Sequence, residues 1–411
     1  MAEACERFGF YLMLALFTLF LNEHYGFSAA KSFEWYGWYL FSVYFAPLFG
    51  GWLGGRGLLR RSWVLAGALL LSLGYVILAI GSTASLLPAL CVLTIGNGLF
   101  KPNISTLVGG LYPPGDGRRD EAFGIFYVSV NVGAMLAPIT GETLRGAFGW
   151  SPAFLSAGAA LVLSALVLRL GREHLPARSP EPVPESRGSV RTKHGDRRRV
   201  AALLVVGALV MPFWMGYFQS GSTLTFFARD NIDRFVQLGG TRHEIPPGYF
   251  ASLGGFFVLV LTAPLAWVLR RLQRRGLHLT SADKIVCGLA FAGLAYAILC
   301  SVVTIGSPTH VHMFWLVFFY FVLTVAELML SPVGLSLVSK LSPVRWVGVL
   351  MGVWFLATAG GNKLAGQVGA LWTQWSHGRF FGAFGLLLVV TASVLATQLG
   401  WLRQTLPREH S

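Results

Sequence analysis

Apolar residues run along this chain in long blocks that do not alternate with polar ones. "SWVLAGALLLSLGYVILAIGS" (62–82) and "FFGAFGLLLVVTASVLATQLGW" (380–401) are typical. Each approaches the ~20 residues that carry a helix across a bilayer. The strands of a membrane β-barrel would instead alternate at every second residue. The pattern predicts twelve helical spans, at 3–22, 33–54, 62–82, 85–111, 121–142, 152–170, 200–227, 247–270, 282–305, 311–338, 346–371 and 380–402. One long polar segment, 171–199, is rich in Pro, Ser and Arg and reads as a flexible linker. The expected architecture is an all-α membrane protein, with an N-terminal six-helix bundle (1–170), a linker (171–199) and a C-terminal six-helix bundle (200–411).

Composition agrees. The 411 residues are 54% hydrophobic and 12% charged, with mean hydropathy +0.61; soluble domains carry about 25% charged residues. A net charge of +14 raises the question of nucleic acid. The basic residues, however, sit in short loops between apolar blocks, so the bilayer is the expected partner and nucleic acid is not. Arg56, Arg60, Arg61, Arg118, Arg119, the nine basic residues of 169–199, Arg270, Arg271, Arg274, Arg275, Lys284, Lys340, Arg345, Arg403 and Arg408 fall on one side. Lys31, Arg145, Arg229, Arg234, Arg242 and Arg379 fall on the other. By the positive-inside rule both termini and the linker are cytoplasmic. "ACERF" is no basic leader region, so no cleavable signal peptide is expected. Cys5, Cys91, Cys287 and Cys300 lie in apolar segments with no metal or disulfide spacing. No metal, no cofactor and no catalytic triad is expected, so an enzyme is disfavoured.

Six spans, a cytoplasmic linker and six spans is the layout of major facilitator transporters, whose halves rock around a midplane site. A charge at the bilayer centre costs ~2.5–3.5 kcal/mol on insertion scales, so charges inside spans mark paired or working groups. Glu3, Glu6 and Arg7 share a face of the first span by i, i+3 and i+4 spacing. That spacing alone serves equally well a solvated helix end, where acids favour the N-terminus. Lys101, followed by Pro102, and Glu327, followed by Pro332, are opposite charges mid-span in opposite halves. That is what a binding site between the halves needs. Lys363 has no evident partner and reads as helix packing.

These stretches carry a resemblance. "ERFGFY", with Glu3 three residues upstream, resembles the ExxERFxYY signature of the proton-dependent oligopeptide transporter (POT) family. "KPNISTLVGGLYPPGDGRRDEAFGIFYVSVNVGAMLAP" (101–138) is similar to that family's signature across spans four and five. "FWMGYFQSGSTLTFF", "ELMLSPVGLSLVSKLSP" (327–343) and "GVWFLATAGGNKLAG" resemble its seventh, tenth and eleventh spans. The resemblance implies a divergent bacterial member, in the inner membrane and acting as a monomer, that imports di- and tripeptides with protons. It also implies that Arg7 and Lys101 hold the peptide carboxylate and Glu327 the ammonium. Glu3, Glu6, Arg7 and Glu327 would serve proton coupling. Tyr11, Tyr44, Asn131, Ser331 and Trp354 fall on pocket positions, and Lys101 with Glu327 forms a cytoplasmic gate.

The chain departs from the family in several places. Leu14 stands where the family has an arginine, and Phe218 where it has an acid; together these form the family's periplasmic ion pair. Replacing both partners of a buried pair by apolar groups is often neutral, so Leu14 and Phe218 read as a matched apolar gate. Gly254 stands where the family has an asparagine near the peptide amine, and Gly55 where it has an aspartate. These departures keep a second reading open, an uncoupled transporter of another zwitterion or anion. A non-transporting membrane sensor is a third, but it would leave costly charges idle.

Overall fold

The computed structural model describes residues 1–54, 60–112, 116, 118–173, 175, 193–306, 310–341 and 347–400. Gly55, Arg56, most of the expected linker, Arg345, Arg403 and Arg408 lie outside the described residues. The helices of the first half are α1 (Ala2–Glu23), α2 (Ala29–Gly54), α3 (Arg60–Ala79), α4 (Thr83–Gly109), α5 (Arg118–Phe148) and α6 (Trp150–Leu170). Those of the second half are α7 (Lys193–Tyr217), α8 (Thr223–Asp230), α9 (Ser252–Arg274), α10 (Ser281–Ile305), α11 (Met313–Leu341), α12 (Val347–Gly369) and α13 (His377–Thr397). The seventh predicted span is α7 and α8 joined through a 3₁₀ turn at Phe218–Gly221. Helix α7 begins at Lys193, inside the segment expected to be linker.

Ten segments among the described residues are long and apolar enough to cross a membrane. Two further helices, α2 and α12, fall outside that group, and they pack against each other across the two halves. Their sequences carry Lys31, Glu34, Asn362 and Lys363, and many Trp, Tyr and Gly residues. Such residues suit a helix that faces protein more than lipid. Lys363 places its Nζ 3.8 Å over the Trp38 ring, so the span charge read as helix packing joins these two helices.

Within the first half, α1 packs on α5 and α6, α3 on α4 and α6, and α2 on α4. Within the second, α10 packs on α11 and α13, α7 on α12, and α9 on α11. Besides α2 with α12, the halves meet where α5 lies on α9 and α1 on the Phe218–Gly221 turn. The loop after α8 holds what the hydropathy pattern did not suggest, a small hairpin of β2 (Phe235–Leu238) and β3 (Thr241–Glu244). Gly239 and Gly240, at φ 59° and 82°, make its two-residue turn. In the same region β1 (Ile232–Asp233) pairs in parallel with β4 (Val311–His312).

Candidate functional site between the two halves

The first span carries its charges into the protein, not to a solvated end. Glu3 is 7% exposed, Glu6 2% and Arg7 5%. Gly133 of α5 makes this possible: a Cβ there would stand 2.6 Å from the Ala4 carbonyl oxygen and 3.1 Å from the Arg7 Cβ. Arg7 binds Glu6 through two bonds, Nε donating to Oε2 at 2.5 Å and Nη2 to Oε1 at 2.7 Å. Such a fork is the strong form of a charge-assisted bond. Glu3 stands further off, at 3.5 Å from Arg7 Nε, and its Oε2 has no hydrogen-bond partner among the described residues.

Lys101, half-buried on α4, holds its Nζ 4.3 Å over the Tyr44 ring. Arg7, Glu6 and Glu3 are its charged neighbours. Two cations and two carboxylates thus form one group on the first half. Tyr11 and Tyr44 stand at its edge, each within electrostatic reach of both Arg7 and Glu327. Across them, Glu327 on α11 lies within electrostatic reach of Tyr217, while its Oε2 has no partner among the described residues.

A narrow cavity opens in this region, lined by α1, α5, the end of α7 and its 3₁₀ turn, α9 and α11. It brings together Tyr11, Leu14 and Asn131 from the sequence-derived set. Ser331 is half-buried one turn beyond Glu327, and Trp354 is buried against α11 at Gly334; neither lines this cavity. The expected pairing of Lys101 with Glu327 is not formed in this structure: among the described residues no ion pair joins them.

Sequence reasoning missed Tyr217, Tyr320 and Thr324 in the lining. Tyr320 and Thr324 precede Glu327 by seven and three residues, helical spacing for one face, so that signal was present. Tyr217 is the residue before Phe218 and carried no comparable signal.

Leu14 and Phe218 are 4% and 2% exposed. Their elements touch: a Cβ on Gly221 would sit 2.4 Å from the Leu14 carbonyl oxygen, and the Thr18 hydroxyl donates to the Gly221 carbonyl at 2.8 Å. The Tyr36 hydroxyl donates to the Phe218 carbonyl at 3.1 Å, and the Phe218 ring meets Tyr44 edge-on at 5.6 Å. An ionic cluster lies further along α1 from this apolar layer. Glu23, at the end of α1, pairs with Arg145 of α5 at 2.8 Å and with Arg229 of α8, in the other half, at 3.5 Å. Glu142 binds Arg145 at 2.6 Å and accepts from the Gly248 amide of the second half at 2.8 Å. Closure of this face therefore does not rest on apolar contact alone. Three of the six basic residues assigned to this side, Arg145, Arg229 and Arg234, are committed to carboxylates.

A family profile, PTR2, described as the POT family, matches residues 61–190 and 184–387, most of the chain. The chain belongs to the POT family. Among curated relatives this POT member is 28% identical to Uncharacterized transporter YclF of Bacillus subtilis (strain 168), over 96% of this chain and 91% of the relative. It is 28% identical to Dipeptide and tripeptide permease A of Escherichia coli (strain K12), over 90% and 82%. Among solved structures it is similar to a peptide transporter POT in complex with sulfate, with TM-score 0.89 and 26% identity over 98% of this chain and 94% of that one. A peptide transporter POT in complex with alafosfalin superposes with TM-score 0.88 at 26% identity. This POT member has the major facilitator architecture, with twelve membrane helices in two six-helix bundles, and is a transporter, not an enzyme.

Proposed function

We infer that this chain imports di- and tripeptides together with protons across a bacterial cytoplasmic membrane. It works by alternating access of its two bundles, as a monomer with both termini on the cytoplasmic side. The observation that carries this reading is the division of charge around Tyr11 and Tyr44. Arg7 and Lys101 stand on one half, Glu327 on the other, and both tyrosines feel both sides. A zwitterionic peptide needs cations at one end and an anion at the other, at a fixed separation. Arginine supplies a planar fork for its carboxylate and lysine a point charge. Relatives and structural neighbours named for peptide transport support the substrate class.

Coupling rests on Glu3, Glu6, Arg7 and Glu327, because Phe218 has no proton to give. In this structure Glu6 holds the Arg7 fork that a peptide carboxylate would use. A carboxylate beside an arginine exchanges its ion pair for a proton; protonation frees the guanidinium for substrate. Lys101 and Glu327, unpaired with each other here, are assigned to a gate that closes the cytoplasmic side in another state. The covered Glu23 face is then the periplasmic one.

The purified protein in liposomes is expected to show dipeptide counterflow and, with an inward proton gradient, uptake against the peptide gradient. Counterflow without gradient-driven uptake selects the uncoupled reading; neither activity removes the peptide reading. Glu327→Gln is expected to weaken binding of peptides with a free N-terminus by about tenfold or more, and N-acetylated peptides far less. Equal losses for both would place Glu327 in the gate and not against the substrate.

A further inference from the structure

The Tyr217 side chain lines the cavity, and Glu327 of α11 lies within its electrostatic reach. Its ring is held from three sides: stacked on Phe213 at 5.9 Å, and edge-on to Trp214 at 5.8 Å and Phe218 at 5.3 Å. The hydroxyl is therefore a placed group, not a mobile one. Facing it from α9 is Gly254, where a Cβ would stand 4.0 Å from the Tyr217 hydroxyl with nothing nearer. That space is open to the cavity, which Gly254 also lines. The Glu327 Oε2, without a partner among the described residues, is the kind of buried acceptor whose cost a ligand donor removes.

We propose that Tyr217 is a positioning residue for this transporter. Its hydroxyl orients the Glu327 carboxylate beside the cavity, and Gly254 keeps clear the space next to that hydroxyl, where a bound ammonium would sit. The proposal rests on the reading of Glu327 as the partner of a peptide amine. It deepens that reading by naming what aims the carboxylate where the family's asparagine is missing.

Competition by dialanine and by N-acetyl-dialanine, read in the full-length protein in liposomes, tests it. Tyr217→Phe removes one hydroxyl and keeps the ring. The half-saturating concentration of dialanine is expected to rise about tenfold, and that of N-acetyl-dialanine less than about twofold. In Tyr217→Phe/Gly254→Asn, the amide enters the space beside Glu327 and is expected to recover at least half of the loss. A merely structural role for Tyr217 would weaken both competitors together and would not be rescued from the opposite helix. If Glu327→Gln discriminates the two competitors and Tyr217→Phe does not, this proposal is overturned and the assignment of Glu327 stands. If Glu327→Gln does not discriminate them either, the assignment of Glu327 falls, and this proposal with it.

Discussion

Lys101→Ala is expected to abolish peptide uptake while the protein still reaches the membrane and purifies as a folded species. Lys101 sits mid-helix in α4, half-buried, with its ammonium 4.3 Å over Tyr44. Glu6 is taken by the Arg7 fork and Glu3 lies 3.5 Å from Arg7, so the lysine is not locked to either carboxylate. Among the described residues it makes no ion pair. A cation kept inside a membrane span without a fixed partner is there for something that arrives. Removing one partner of a buried charge contact costs about 2–5 kcal/mol, or roughly thirty-fold to several thousand-fold in binding. Folding suffers less, because alanine leaves no uncompensated cation and is a good helix residue. The check is initial uptake rate against membrane abundance. Wild-type rates at equal abundance would remove Lys101 from the site.

Leu14→Arg and Phe218→Glu, each alone, are expected to impair transport severely. The two positions are 4% and 2% exposed, on elements that meet through Thr18, Tyr36 and Gly221. A single charge there would be buried unpaired whenever this face closes, at a cost of ~3–5 kcal/mol. The double variant restores an ion pair, so it is expected to recover much of the loss and to make transport more dependent on pH. Uptake across a pH series, treated as a double-mutant cycle, decides. Additive single effects would mean that the two residues do not meet when the gate shuts. The apolar pair by itself implies closure insensitive to salt. The Glu23, Arg145 and Arg229 cluster corrects that expectation, because these groups are 22–32% exposed and salt weakens such contacts. Raised ionic strength is thus expected to loosen this face in the native protein too.

Length and hydropathy mark ten of the membrane helices among the described residues, because crossing a bilayer is a sum over one segment and needs no knowledge of its neighbours; α2 and α12, which pack on each other, join them through the fold. The same local reasoning marked Glu6, Arg7, Lys101 and Glu327, since a charge inside a span is costly wherever its partner lies. It did not choose between a helix end and a buried cluster for Glu3 and Glu6. That choice came from α5, which reaches the Arg7 Cβ at Gly133. Partners were likewise decided by tertiary structure alone. The Thr18 hydroxyl meets the Gly221 carbonyl across 203 positions of sequence, and Arg145 meets Glu23 across 122. Lys101 lies on Tyr44 and not on Glu327, while Tyr217, on another helix, lies within electrostatic reach of Glu327. A periodic pattern states which face of a helix is buried. Which helix supplies the opposing group depends on how the two bundles dock, and that is settled by packing and charge pairing over the whole fold at once.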